Sequence, residues 1–167
     1  MFLRTIQWGE GVRIVKYIKK GFTLIELLLV IAILSILLVV VFAALNPATR
    51  LQDTRNARRW NDVNQILTAV HECIVDNDLA TCGLSNPLAL SQLGTCASGG
   101  GTPCTGAAGA CLDLSTELAN YIASTPTDPS GGTSATTKYS MQITNGIVTI
   151  AACSPEGSPA PNISVSR

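Results

Sequence analysis

At 167 residues, the chain has room for one modest domain beside any membrane segment. It has a single histidine, His71, no glycine-rich phosphate loop and no nucleophile motif. That leaves no catalytic constellation, so neither an enzyme nor a bound cofactor is expected. The formal net charge of zero hides an asymmetry: residues 1–21 carry Arg4, Arg13, Lys16, Lys19 and Lys20 against Glu10, and the remaining residues are net acidic.

In chain order, that basic leader precedes an almost uninterrupted apolar block, Phe22 to Leu45, whose one ionisable residue is Glu26. At 1.5 Å per residue a helix of this length spans roughly 36 Å, enough for a bilayer core of about 30 Å. The Leu, Ile, Val and Phe residues contribute roughly −7 kcal/mol to insertion, against at most about +3 kcal/mol for a central carboxylate. The positive-inside rule keeps the leader in the cytoplasm and sends the rest across. A secretory signal peptide has a shorter apolar region and a small-residue cleavage site; Val41-Phe42-Ala43 matches that weakly. An uncut signal anchor fits the length. Neither accounts for an acid five residues into the apolar run, and an intramembrane ionisable group is a functional candidate by default.

The run Lys19-Lys20-Gly21-Phe22-Thr23-Leu24-Ile25-Glu26, continuing through Leu27-Leu28-Leu29-Val30-Ile31-Ala32, resembles the prepilin processing motif of type IV pilins and type II secretion pseudopilins. The resemblance implies cleavage after Gly21 by a prepilin peptidase and N-methylation of the new N-terminus, Phe22. It also implies Glu26 as the assembly residue, fifth in the mature chain, and a pilus assembly platform and ATPase as partners. Membrane lipid would surround the span before assembly, and further copies of the chain would surround it afterwards in an extracellular or periplasmic filament. Physical roles fit these positions. Gly21 lets the backbone sit extended and tight in a protease cleft. Cutting there leaves an α-amine on Phe22 with Glu26 at i,i+4, and an acid in the first turn complements the helix dipole. Glu26 can neutralise the amine of its own chain or that of a neighbour; the resemblance favours the neighbour, which sets axial register.

Asn46-Pro47 closes the apolar block, since proline removes a helix donor and restricts the residue before it. Helical periodicity then resumes with Leu51, Trp60, Val63, Leu67, Val70 and Ile74. The reading is one long helix over about 22–76, kinked or opened near Pro47, with a filament-core half at 22–45 and an amphipathic half at 46–76. It is similar to the spine helix of pilins. Arg50, Arg55, Arg58 and Arg59 beside Trp60 form a basic cluster. Asp53 and Asp62 are interspersed, so it reads as an ordinary helix face and nucleic acid is not an expected partner. His71 reads as a packing or surface residue.

Residues 77–167 form the head. Its cysteines, Cys82, Cys96, Cys104, Cys111 and Cys153, make six with Cys73 on the helix. An even number confined to the exported part reads as a disulfide framework; fifteen pairings are open. No C-x-x-C occurs, which disfavours zinc. Residues 77–111 are a loop-rich region suited to cross-linking, with a weak short helix from Pro87. Leu114, Leu118 and Ile122 suggest another short helix at 114–123. Asn145-Gly146 suits a type I′ turn, predicting a hairpin over 138–152 that pairs Ile143 with Val148, Met141 with Ile150 and Tyr139 with Ala152. Its apolar face needs cover, which the amphipathic helix supplies, and Cys153 is placed to tie it to the loop region. Asp128, in Thr127-Asp128-Pro129-Ser130, reads as a turn former; too few acids surround it for calcium. The tail, 153–167, is Ser/Pro-rich and expected at the surface.

The fold class expected is therefore α+β and pilin-like, a long N-terminal helix packed on a small disulfide-linked head with a C-terminal hairpin. The function expected is a structural filament subunit. The alternatives are a pseudopilin of a secretion or DNA-uptake machine and a minor pilin or adhesin with a surface-binding head.

Overall fold

The computed structural model describes residues 21–167. The expectations for the basic leader, from its charges to its cytoplasmic side, fall on residues 1–20 and lie outside the described residues. The chain divides into two units, Met1–Asn46 and Pro47–Arg167.

In the first unit, α1 spans Leu24–Leu45. Thr23 stands before it in extended geometry, φ −79° and ψ 149°, as an N-cap. Every residue of α1 is exposed within the chain, as expected of a helix that is apolar all round and has its partners elsewhere. It is long and apolar enough to cross a membrane. Its one internal hydroxyl, Ser35, donates to the Ile31 carbonyl at 2.7 Å, which leaves the Glu26 carboxylate as the one side-chain polar group of α1 without a partner among the described residues. Asn46 ends α1 in the left-handed region, φ 40° and ψ 71°. Asparagine tolerates that geometry better than most residues.

In the second unit, α2 spans Pro47–Asp76. Pro47 stands at its first position, where the missing N–H has no intrahelical partner to lose. The helix therefore resumes directly after the Asn46 break. Val63, Ile66, Leu67, Ala69, Val70 and Cys73 are buried on one face. Two of the expected core positions are not: Leu51 and Trp60 are 58% and 41% exposed, while their neighbour Arg59 is fully buried.

Four strands, β1 (Leu88–Gln92), β2 (Tyr139–Thr144), β3 (Ile147–Ala152) and β4 (Ser164–Ser166), form an antiparallel sheet in sequence order. The β2–β3 register is the one the turn chemistry dictates, with Ile143 opposite Val148, Met141 opposite Ile150 and Tyr139 opposite Ala152. Asn145 and Gly146 have φ of 53° and 80°, the paired positive values a type I′ turn requires. Tyr139, Met141, Ile143, Val148 and Ile150 are all buried in a core shared with α2, which packs on β3 and β4.

Three expectations for the head are corrected. The segment after Pro87 is a strand, β1, because pairing with Met141 and Ser140 outweighs a weak local helical preference. Its outer edge is covered in part by bonds from Ala108 N to Leu90 O and from Leu112 N to Gln92 O. Residues 115–121 wind through turns rather than a regular helix. The bonds from Leu118 N to Leu114 O and from Ile122 N to Leu118 O are helical in kind, and Leu114, Leu118 and Ile122 are buried. The tail is not peripheral: Ile163 is buried, and β4 extends the sheet beside β3. The Ile163-x-Val165 alternation was masked by the prolines before it.

All six cysteines are bonded, as Cys73–Cys82, Cys96–Cys111 and Cys104–Cys153. The first ties the end of α2 to the following loop. The other two hold the 96–111 loop closed and fasten it just beyond β3.

Candidate functional site

The candidate site at the start of α1 is built from Gly21, Phe22, Thr23 and Glu26. A Cβ placed on Gly21 meets nothing within 4 Å, so packing among the described residues does not require glycine there. Phe22 is 81% exposed. Thr23 Oγ1 accepts a hydrogen bond from the Glu26 backbone N–H at 3.2 Å. This is one half of a capping box, the T-x-x-E spacing in which the cap hydroxyl serves the third helical N–H. That spacing was present in the sequence and is the signal for where α1 begins. Among the described residues the Glu26 carboxylate has neither an ion pair nor a side-chain hydrogen bond. A lone acid therefore stands in the first turn of a lipid-length helix, available to a partner outside the fold.

The second constellation lies within the head unit, and sequence reasoning missed it. Arg59 on α2 donates through Nε and Nη2 to the two Asp128 oxygens, at 2.6 and 2.9 Å, and both side chains are fully buried. Arg55, one turn earlier, donates to Glu156 at 2.8 and 2.9 Å, and Arg59 reaches the same carboxylate at 3.2 Å. Asn56 completes the cluster: its amide donates to the Glu156 carbonyl at 2.6 Å, and its oxygen accepts from Glu156 N–H at 3.0 Å. Further along α2, Asp62 accepts from the Tyr139 hydroxyl at 2.6 Å. The basic run is thus not a solvated face at this level. Two of its arginines turn inward and fix the 128 turn and the tail to the helix.

The electrostatics follow the contacts. Hydrogen bonds from Arg55 hold the Glu156 carboxyl down at about 2, against the opposing effect of partial burial. Arg59 is raised above the ordinary guanidinium value, first by its hydrogen bonds to Asp128. Burial, then donation to Asp62, pushes the Tyr139 phenol far above its ordinary value. Asp128 also forms the turn its sequence suggests, accepting from Ser130 N–H at 2.7 Å. Bidentate, charge-assisted contacts of this kind position segments. They bring together no nucleophile with a base, and the cluster is a structural clamp. His71 is partly buried, with Nε2 unpartnered. Among the described residues no group of three or more His, Cys, Asp or Glu side chains is arranged to hold a metal ion.

Compared with known families, residues 18–42 match the model of the prokaryotic N-terminal methylation motif. No curated protein and no solved structure matches the chain. The chain thus carries the hallmark of type IV pilins and pseudopilins on an α+β, pilin-like fold with a helical N-terminal region, a four-stranded antiparallel head and three disulfides. That motif implies, in general terms, a membrane-anchored precursor that a prepilin peptidase processes and that assembles into a filament.

Proposed function

We propose that this protein is a structural pilin subunit of a type IV pilus-like filament. The single observation that carries the proposal is the lone Glu26 carboxylate in the first turn of α1, five positions after Gly21. The precursor sits in the inner membrane with its leader cytoplasmic and its head outside. Prepilin peptidase cuts between Gly21 and Phe22 and methylates Phe22. The new amine lies one helical turn from Glu26, and in a water-poor bundle the two charges need each other. Pairing Glu26 with the amine of a neighbouring copy sets the axial register, and close apolar packing of the α1 helices holds the core. Gly21 supports the same reading, because the described fold gives no internal reason for glycine there.

The assignment is tested by shearing surface filaments from producing cells and identifying their subunits by mass spectrometry. This chain as the abundant component supports the proposal. Its absence from filaments while it is present in the membrane contradicts it and favours a secretion pseudopilin.

A further inference from the structure

Asn145 is the one asparagine in the chain that a glycine follows. In such a pair the next backbone nitrogen is able to attack the side-chain amide and close a cyclic imide, and glycine sets no Cβ beside the attacking atom. Asn145 and Gly146 are both exposed at the tip of the β2–β3 hairpin. A Cβ built on Gly146 would meet only Asn86 Nδ2 within 4 Å, at 3.8 Å. The pair is therefore open to water, and its nearest non-neighbouring group is the Asn86 amide.

The folded turn works against ring closure. The Gly146 nitrogen must swing onto Asn145 Cγ, so the backbone between the two residues has to rotate. Their φ values of 53° and 80° and the strand register from Thr144–Ile147 to Tyr139–Ala152 hold the turn in another geometry. The same nitrogen must also lose its proton. That N–H donates to Asn86 Oδ1 at 3.3 Å, and a bond made to the protonated form disfavours its loss. Strand β1 is what brings Asn86 there. Leu88 stands opposite Ile143, and continuing each strand outward sets Asn86 beside Asn145. Ser85 Oγ donates to Pro87 O at 3.0 Å and closes the turn that leads into β1. Asn86 itself is spared this reaction, because Pro87 has no N–H to give up.

We infer that Asn145-Gly146 is a self-modification site whose rate is set by opening of the hairpin tip, with Asn86 as the positioning residue that restrains it. Gly146 N bonds to Asn145 Cγ, and the proton it gives up leaves with the side-chain nitrogen as ammonia. Water then adds to either imide carbonyl and opens the ring. Cleavage between Gly146 N and Asn145 Cγ leaves aspartate. Cleavage between Gly146 N and the Asn145 main-chain carbonyl carbon leaves isoaspartate. The net change is amide plus water to carboxylic acid plus ammonia, with nothing oxidised or reduced. Aspartate keeps the path of the chain and adds a negative charge at the tip. Isoaspartate routes the main chain through Cβ, which a two-residue turn of this type does not accommodate, so the facing of Ile143 and Val148 is lost. The product is a chemical record that the tip has opened.

The test incubates the full, folded chain in detergent at mildly alkaline pH, beside the same chain reduced and unfolded in guanidinium chloride at that pH. After reduction and proteolysis, the peptide carrying Asn145 is followed by mass spectrometry, with aspartate and isoaspartate forms separated by chromatography. Conversion in the unfolded chain is expected to be faster by about ten-fold or more, since the folded tip must first open. Asn86→Ala should raise the folded rate about five-fold, the factor one ordinary hydrogen bond is worth. Amide hydrogen exchange along β2 and β3 should be unchanged in that variant. Equal rates in the folded and unfolded chains overturn the inference, as does no conversion in either. An unchanged rate in Asn86→Ala overturns the role of Asn86, and so does a rise that comes with faster exchange through both strands. The readout is made on the isolated chain, so it is independent of filament assembly and of the pilin reading.

Discussion

Arg59 and Asp128, 69 residues apart in sequence, meet as a two-pronged ion pair with no solvent-exposed side-chain surface. Breaking one half of such a pair strands a buried charge, which costs about 3–5 kcal/mol, whereas replacing both halves by apolar groups is often neutral. Asp128→Ala is therefore expected to destabilise the head by about that amount. The double change Arg59→Met with Asp128→Leu should recover most of the loss. Denaturant unfolding of the full chain in detergent, followed by near-ultraviolet circular dichroism, checks both. Equal losses in the single and double variants contradict a clamp built on charge.

The Glu156 carboxyl is held at about 2 in the folded chain against an ordinary value of 4.5. Its pairs contribute in full above pH 4.5. Between pH 4.5 and about 2 the unfolded chain takes up a proton that the folded chain refuses, so stability falls as pH falls. Glu156→Gln should be less stable near neutrality and should flatten this part of the acid profile. Melting temperatures of both chains from pH 6 to 2.5 decide the matter, and parallel curves count against it.

Tyr139 behaves in the opposite sense. Its folded-state phenol titrates far above the ordinary value of 10.0, so its contribution is complete below pH 10. It declines above that, where the unfolded phenol ionises and the folded one does not. Tyr139→Phe keeps the buried ring and removes the bond to Asp62, which should cost about 1–2 kcal/mol near neutral pH. The difference between the two proteins should shrink as pH rises past 10. A constant gap across that range excludes the phenol as its source.

Glu26→Ala leaves α1 no less apolar, so membrane insertion should be unchanged while incorporation into filaments is lost. Membrane fractionation and filament yield are read side by side. Normal yield from the variant removes the register role assigned to Glu26.

Local chemistry was legible in the sequence and distant pairing was not. Asn145-Gly146 and its flanking alternation act over a few residues, so the hairpin register could be written down in full. Arg59 was hidden because its partner is 69 residues away. Yet it lies four, seven, eleven and fourteen positions before Val63, Ile66, Val70 and Cys73, which places it on the buried stripe. Trp60 drew attention by its ring, but its position on the helix turns it outward. The sheet role of the tail was obscured by composition, since Pro155, Pro159 and Pro161 outweigh one Ile-x-Val alternation. The disulfide pairing was not legible either: Cys96 faces Cys111 through irregular backbone bonds such as Cys111 N to Cys96 O and Gly94 N to Leu112 O, and Cys104 finds its partner 49 residues away. At the start of α1 the signal was local again: the T-x-x-E spacing places Thr23 as the cap, and its bond from Glu26 N–H marks where the helix starts.

The central claim is that the chain is cut between Gly21 and Phe22 and enters filaments as the shortened form. The most direct test is the intact mass and N-terminal peptide of the subunit recovered from sheared filaments. The account predicts a chain that begins at N-methyl-Phe22 and ends with six oxidised cysteines. A subunit that retains the leader, or one cut after Ala43, contradicts it.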